Sequence, residues 1–167
     1  QANAQGEGYG LNPGDVLGVS VWREEELSLE VLVSPDGMIS FPLVGQVDVA
    51  GRTAGEVQTL LVDKLQTFIP DPVVTVSVRA TNGNLVYILG KVNRPGQYGM
   101  NRRMDVMQAL AIAGGLAQFA GENKITVLRR DENGNQRAIP FRYSRVADGR
   151  DLETNIILQS GDVVVVP

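Results

Sequence analysis

Three aspartates stand out as groups that could do chemistry, each beside a glycine in what reads as a tight turn. They are Asp15 after Gly14, Asp36 before Gly37 and Asp162 after Gly161. Two carboxyl groups held close together can serve as acid and as base or nucleophile, the arrangement that cleaves glycosidic bonds. The same residues have a simpler use. An aspartate in a turn accepts hydrogen bonds from nearby backbone amides, and that chemistry already accounts for the spacing. The carboxylates are therefore expected to serve their own turns, with no catalytic residue among them.

Composition closes the other routes. The chain has no His and no Cys, which excludes a Ser-His-Asp triad, a histidine zinc site, a thiolate nucleophile and disulfides. No glycine-rich phosphate loop is present. The expectation is a protein with no metal, no cofactor and no enzymatic activity.

Arg94, Arg102, Arg103, Arg129 and Arg130 could form a basic surface. Arginine suits carboxylates, on an acidic polysaccharide or on the acidic half of a neighbouring subunit. For any one of them, a solvated face with its stem covering apolar area is the simpler reading. Trp22 and Tyr98 could stack on sugar rings, but in a chain with 5% aromatics core packing is the expectation for both.

The charges are unevenly spread. Residues 1–78 carry three basic and eleven acidic side chains, a balance of −8, and residues 79–150 carry twelve and five, a balance of +7. Residues 151–167 add −3, within a net charge of −4. The split favours a two-part molecule whose halves could attract one another or neighbouring copies. An acidic chain is a poor partner for nucleic acid.

The elements that must hold these residues are short. Val16 to Trp22 alternates like a strand, followed by a strand at Val31 to Val33, an Asp-Gly hairpin signal at Ser34–Gly37, and strands at Met38–Phe41 and Val44–Val49. Thr53 and Glu56 form a capping box. Behind it, Val57, Leu60, Leu61, Leu65 and Phe68 make a helical stripe that Pro70 ends. Val73–Arg79 returns to strand, and Thr81–Asn84 reads as a turn and a boundary. In the second half, Leu85–Leu89 looks like a buried strand and Asn93–Gly96 a turn. A helix is expected over Val106–Ala113, capped by Asp105 and stopped at Gly114-Gly115. Lys124–Arg130 and Gln136–Phe141 read as a hairpin, and Val163–Val166 as a closing strand.

Two segments echo one another. Leu11-Asn12-Pro13-Gly14-Asp15-Val16 returns as Leu158-Gln159-Ser160-Gly161-Asp162-Val163, and Gly45–Gly51 before the first helix is matched by Gly90–Gly96 before the second. Two copies make a pair of related α+β units rather than a solenoid.

Tyr9–Leu17, Pro35-Asp36-Gly37-Met38-Ile39, Pro42-Leu43-Val44-Gly45, Ala50–Thr53 and Asp71–Val74, in that order, resemble the polysaccharide biosynthesis/export domain. Val86–Val92, Arg94–Tyr98 and Ala109–Leu116 are similar to the soluble-ligand-binding β-grasp (SLBB) domain that accompanies it in Wza-like outer-membrane polysaccharide export proteins. The resemblance implies an α+β protein of mostly short strands and two main helices. Residues 9–80 would be the export domain and 84–167 the β-grasp domain, with the last strand (162–166) either staying there or packing back on the first. The family motif would comprise Pro13, Gly14, Asp15, Asp36, Gly37, Pro42, Gly45, Arg94, Pro95, Gly96, Gly114 and Gly115, mainly in structural roles. Arg102, Arg103, Arg129 and Arg130 would be candidate glycan or subunit contacts.

The function implied is that of a periplasmic component of an exopolysaccharide or capsule export machine, forming or lining a passage toward the outer membrane. Its implied partners are further copies in a ring, an inner-membrane polysaccharide co-polymerase, the polysaccharide in transit and a separate outer-membrane barrel. The barrel enters because no C-terminal amphipathic helix and only one SLBB unit are recognisable. The competing readings are a stand-alone periplasmic carbohydrate-binding β-grasp protein and a carboxylate-pair glycan hydrolase. No run approaches the roughly 18 apolar residues that span a bilayer. The small, polar opening Gln1–Gln5 fits a secreted chain whose signal peptide is absent here.

Overall fold

A computed structural model describes residues 8–167. The polar opening Gln1–Gln5 lies outside the described residues. The chain divides between Gly83 and Asn84 into two compact units, each with its own hydrophobic core.

The first unit has a three-stranded antiparallel sheet in the order β2-β1-β5, from β1 (Val16–Val21), β2 (Leu29–Leu32) and β5 (Val74–Ala80). A separate hairpin pairs β3 (Met38–Phe41) with β4 (Gly45–Asp48). The Asp-Gly turn at 36–37 therefore does not join two paired strands, contrary to the hairpin signal: β2 pairs with β1, and β3 with β4. The turn instead closes on itself, with Gly37 N–H donating to Ser34 O and Ser34 N–H to Met38 O.

Helix α1 (Ala54–Leu65) begins at the expected capping box, in which Thr53 Oγ1 accepts from Glu56 N–H and Glu56 Oε1 from Thr53 N–H. Val57, Leu61 and Leu65 are fully buried. Each such side chain taken from water contributes about 1.5–3 kcal/mol. Phe68 does not continue that stripe; the helix has ended and the ring is exposed.

The second unit is one five-stranded sheet in the order β7-β6-β10-β8-β9. Its strands are β6 (Leu85–Gly90), β7 (Gly96–Gly99), β8 (Ile125–Arg130), β9 (Gln136–Phe141) and β10 (Val163–Val166). The closing strand β10 runs parallel to β6 and antiparallel to β8, so both of its edges are used within this sheet. That leaves it no free edge with which to extend the first sheet.

Helix α2 (Val106–Ile112) has a capping box of Asp105 and Gln108, and glycines at positive φ follow it at 114 and 115. Besides the two main helices expected, a short helix α3 spans Tyr143–Ala147. Strand β6 is buried on one face only: Val86 and Ile88 face the core, while Tyr87 and Leu89 are exposed.

The two units are both α+β, yet their sheets differ in strand number and order, so the sequence echo is local. It lies in the turns. Among the described residues no helix is long and apolar enough to cross a membrane.

One glycine sets a strict limit. A Cβ at Gly90 would sit 1.9 Å from Val166 O, and its φ is +95°. Replacing Gly90 with Ala should therefore cost about 2–4 kcal/mol in urea unfolding, because the β6–β10 ladder must open. Gly99→Ala, where a Cβ meets nothing within 4 Å, should stay within about 0.5 kcal/mol.

Candidate functional site

The repeated Leu-x-x-Gly-Asp-Val turns build two versions of one structure. In the first, Asp15 N–H donates to Asn12 O (3.1 Å) and Asn12 N–H returns to Asp15 Oδ2 (2.9 Å). In the second, Asp162 N–H donates to Gln159 O (3.0 Å) and Gln159 N–H to Asp162 Oδ2 (2.8 Å). The preceding glycines have φ of +96° and +91°, which glycine adopts without a Cβ penalty. Their amides reach across to the adjoining segment, Gly14 N–H to Val33 O and Gly161 N–H to Leu85 O.

The remaining carboxylate capacity is filled differently. The Tyr9 hydroxyl donates to Asp15 Oδ2 (2.6 Å) and Gly83 N–H to Asp15 Oδ1 (2.8 Å). Burial, with the adjacent Asp15 carboxylate, pushes the Tyr9 hydroxyl pKa well above its usual value. Asp162 is held by the Arg129 fork, Nε to Oδ1 at 3.1 Å and Nη2 to Oδ2 at 2.7 Å. A two-pronged charge-assisted contact of this kind is among the stronger polar interactions available.

Asp15 and Asp162 are the two fully buried charged side chains among the described residues. Every oxygen of both has a donor, and among the described residues no buried side-chain polar atom is left without a partner. Asp36 is exposed and accepts from Ser34 Oγ. The three carboxylates thus do separate local work, and no group of three metal-ligating side chains comes together among the described residues.

The structure also sorts the arginines. Arg129 is turned inward: its side chain is 13% exposed, its guanidinium binds Asp162 and Ile157 O, and it is thereby withdrawn from the expected basic surface. Arg94 donates to Ile112 O (3.2 Å) at the end of α2, with Gly114 packed against its guanidinium, while Tyr98 OH donates to Arg94 O. Arg130 reaches Gly134 O in its own hairpin loop.

Arg102 and Arg103 are exposed and, among the described residues, make no side-chain hydrogen bond or ion pair. They line an open recess together with Ala111 and Ile112 of α2. A further, half-buried pair has no signal in the sequence: the Arg145 guanidinium holds the Asp151 carboxyl below the usual carboxylate range.

The other motif positions shape the backbone. Pro42 is exposed at the turn into β4, where Gly45 takes φ +84° opposite Phe41. Pro95 is exposed before Gly96, which opens β7. A Cβ at Gly37 would meet Ala50 Cβ at 2.6 Å, and one at Gly83 would meet Pro13 O at 2.1 Å.

Trp22 corrects an expectation. It is 67% exposed rather than in the core, because β1 ends at Val21 and the next side chain points outward with Arg23 over its ring. Tyr98 does pack against the second core.

Two measurements follow from the carboxylates. Asp162→Ala leaves Arg129 as a buried, unpaired charge and should cost about 3–5 kcal/mol, whereas Asp15→Ala, which orphans neutral donors, should cost about 1–3 kcal/mol. Denaturant titrations of the two variants would compare them. The raised Tyr9 pKa has a signed consequence too. The folded chain keeps that proton at a pH where the unfolded chain, ionising at about 10, has lost it. Its contribution is therefore fully present below about pH 10 and lost as pH rises beyond it, and Tyr9→Phe should flatten the alkaline fall in stability.

Residues 3–79 match the family described as polysaccharide biosynthesis/export protein, and residues 84–166 match the SLBB domain. The EPS I polysaccharide export outer membrane protein EpsA of Ralstonia nicotianae is 29% identical over 180 residues, covering 93% of this chain and 46% of EpsA. The polysialic acid transport protein KpsD of Escherichia coli is 32% identical over 123 residues, covering 73% of this chain and 22% of KpsD. The capsule polysaccharide export outer membrane protein CtrA of Neisseria meningitidis is 28% identical over 182 residues, covering 95% of this chain and 45% of CtrA. The chain thus spans less than half the length of these curated relatives, all of them named for export or transport. The two matched segments meet where the chain divides into its two units, and the chain belongs to the polysaccharide biosynthesis/export family, as an export domain followed by an SLBB domain.

Proposed function

We propose that this chain is a periplasmic component of an exopolysaccharide or capsule export machine, and that it works by forming or lining a passage toward the outer membrane. The ordered pairing of an export domain with an SLBB domain carries this reading. The geometry agrees with it in one specific respect. Both buried carboxylates, the groups best placed for hydrolytic chemistry, are saturated by donors of their own turns and neighbours. A general acid or base needs an oxygen within reach of substrate. A scaffold needs none.

On this reading the chain acts in a ring of like copies, beside an inner-membrane polysaccharide co-polymerase. A separate barrel or a further segment would complete the route across the outer membrane. The glycan contacts should be individually weak, since a passage must release what it binds.

Deletion of the gene should stop polymer reaching the cell surface while cell-associated precursor still accumulates, and the intact gene should restore export. Normal surface polymer in the deletion strain would overturn the proposal. Light scattering of the purified protein across concentration, with and without the co-polymerase's periplasmic region, would then measure the assembly.

A further inference from the structure

The recess beside α2 has a chemistry of its own. It is an open depression of about 330 Å³, lined by Gly99, Asn101, Arg102 and Arg103 from the segment leading into α2 and by Ala111 and Ile112 of α2 itself. That is near the lower end of ligand-site volumes and matches one or two sugar rings better than a stretch of folded chain.

Its charged groups are donors only. The two guanidiniums have no partner among the described residues. Gln108 uses its Oε1 to accept from Asp105 N–H (2.9 Å), which leaves its amide nitrogen to donate. The carboxylate near the recess, Asp105, is engaged by Gln108 N–H (2.8 Å). Ala111 and Ile112 supply an exposed apolar floor, Ile112 being 39% exposed.

A site of paired forks, amide donors and a small apolar floor asks for a particular ligand. The ligand must offer a carboxylate to the forks, oxygens to the amides and a flat C–H face to the floor. A sugar acid has all three on one ring. An acidic peptide has the carboxylates but no C–H face set opposite them.

We infer that this recess is a subsite for a carboxylate-bearing sugar residue of an acidic polysaccharide, read by Arg102 and Arg103 over the Ala111–Ile112 floor. The inference rests on the export reading for its biological sense and names the polymer class that reading leaves open. Two other arginines of the same unit are unsuited to this role, since Arg94 and Arg129 are each committed to internal acceptors. Gly99 also lines the recess, and nothing lies within 4 Å of a Cβ added there, so a large side chain at this position has room to stand at the recess without displacing the core.

The test is an amide and arginine side-chain NMR titration of the purified chain. The probes are tetragalacturonate, the neutral maltotetraose and tetraglutamate, each at low and at physiological salt. Tetragalacturonate should give saturable shifts centred on Gly99, Asn101 to Arg103 and Ala111–Ile112, at least tenfold tighter than either other probe. The double substitution Arg102→Gln, Arg103→Gln should weaken it at least tenfold. Gly99→Phe should abolish it while leaving the rest of the spectrum in place.

Equal binding of tetraglutamate would make this a peptide site and overturn the inference. So would shifts spread evenly over Arg137, Arg142 and Arg150, or unchanged binding by Gly99→Phe. The two readings fail separately. A chain that restores export but binds no tetragalacturonate loses the subsite alone, and a chain that binds while its deletion leaves export intact loses the export role alone.

Discussion

The structure depends on a carboxylate buried at the foot of a central strand. Asp15 immediately precedes β1, the middle strand of the first sheet, and Asp162 precedes β10, the middle strand of the second. A central strand has neighbours on both sides, so an error in where it starts is passed to the whole sheet. Each aspartate fixes that start by tying its own amide and carboxylate to the residue three positions earlier. The leucine that opens each turn, Leu11 or Leu158, is buried and anchors the other end. A charge left inside a protein is costly unless it is fully bonded, and both are.

The same device is completed by different means in the two units. Asp15 is satisfied by neutral donors and gathers the far end of its unit, since Gly83 N–H lies 68 positions along the chain. Asp162 is satisfied by a cation from the adjacent strand β8. Such a pair is weak evidence of net stability, because desolvating both charges offsets much of their attraction. What it supplies is register: the Arg129 fork meets Asp162 in one alignment of β8 against β10.

Local signals in the sequence were legible where the physics is local. The Thr53–Glu56 capping box, the Asp105 cap, the glycine stop after α2 and the β8–β9 hairpin all depend on residues a few positions apart. Pairing between distant strands was not legible in that way. The Asp-Gly turn looks the same whether or not its flanks pair, and tertiary packing sent β2 to β1 and β3 to β4. Strand β7 reads Gly-Gln-Tyr-Gly and carries no apolar alternation, and α3 has no side-chain cap, so neither left a signal. Arg129 illustrates the limit at the candidate site. Its position in an arginine pair suggested a surface role, and alternation in β8 could have suggested the opposite, because 125, 127 and 129 share the inward face. Trp22 erred the other way, since one residue beyond the end of a strand is enough to turn an aromatic out to solvent.

The placement of β10 has a consequence for the order in which the molecule can be made. Among the described residues, all strands of the first unit lie within 16–80, so that half can close while the rest is still being synthesised. The second sheet cannot, because its middle strand is the last of its five along the chain. Until Val163–Val166 emerges, β6 and β8 stand with open, apolar edges, and such edges invite pairing with other chains. A long-range parallel insertion is also slow to form. The second sheet therefore stays open to insertion until β10 has been made, and it closes later than the first.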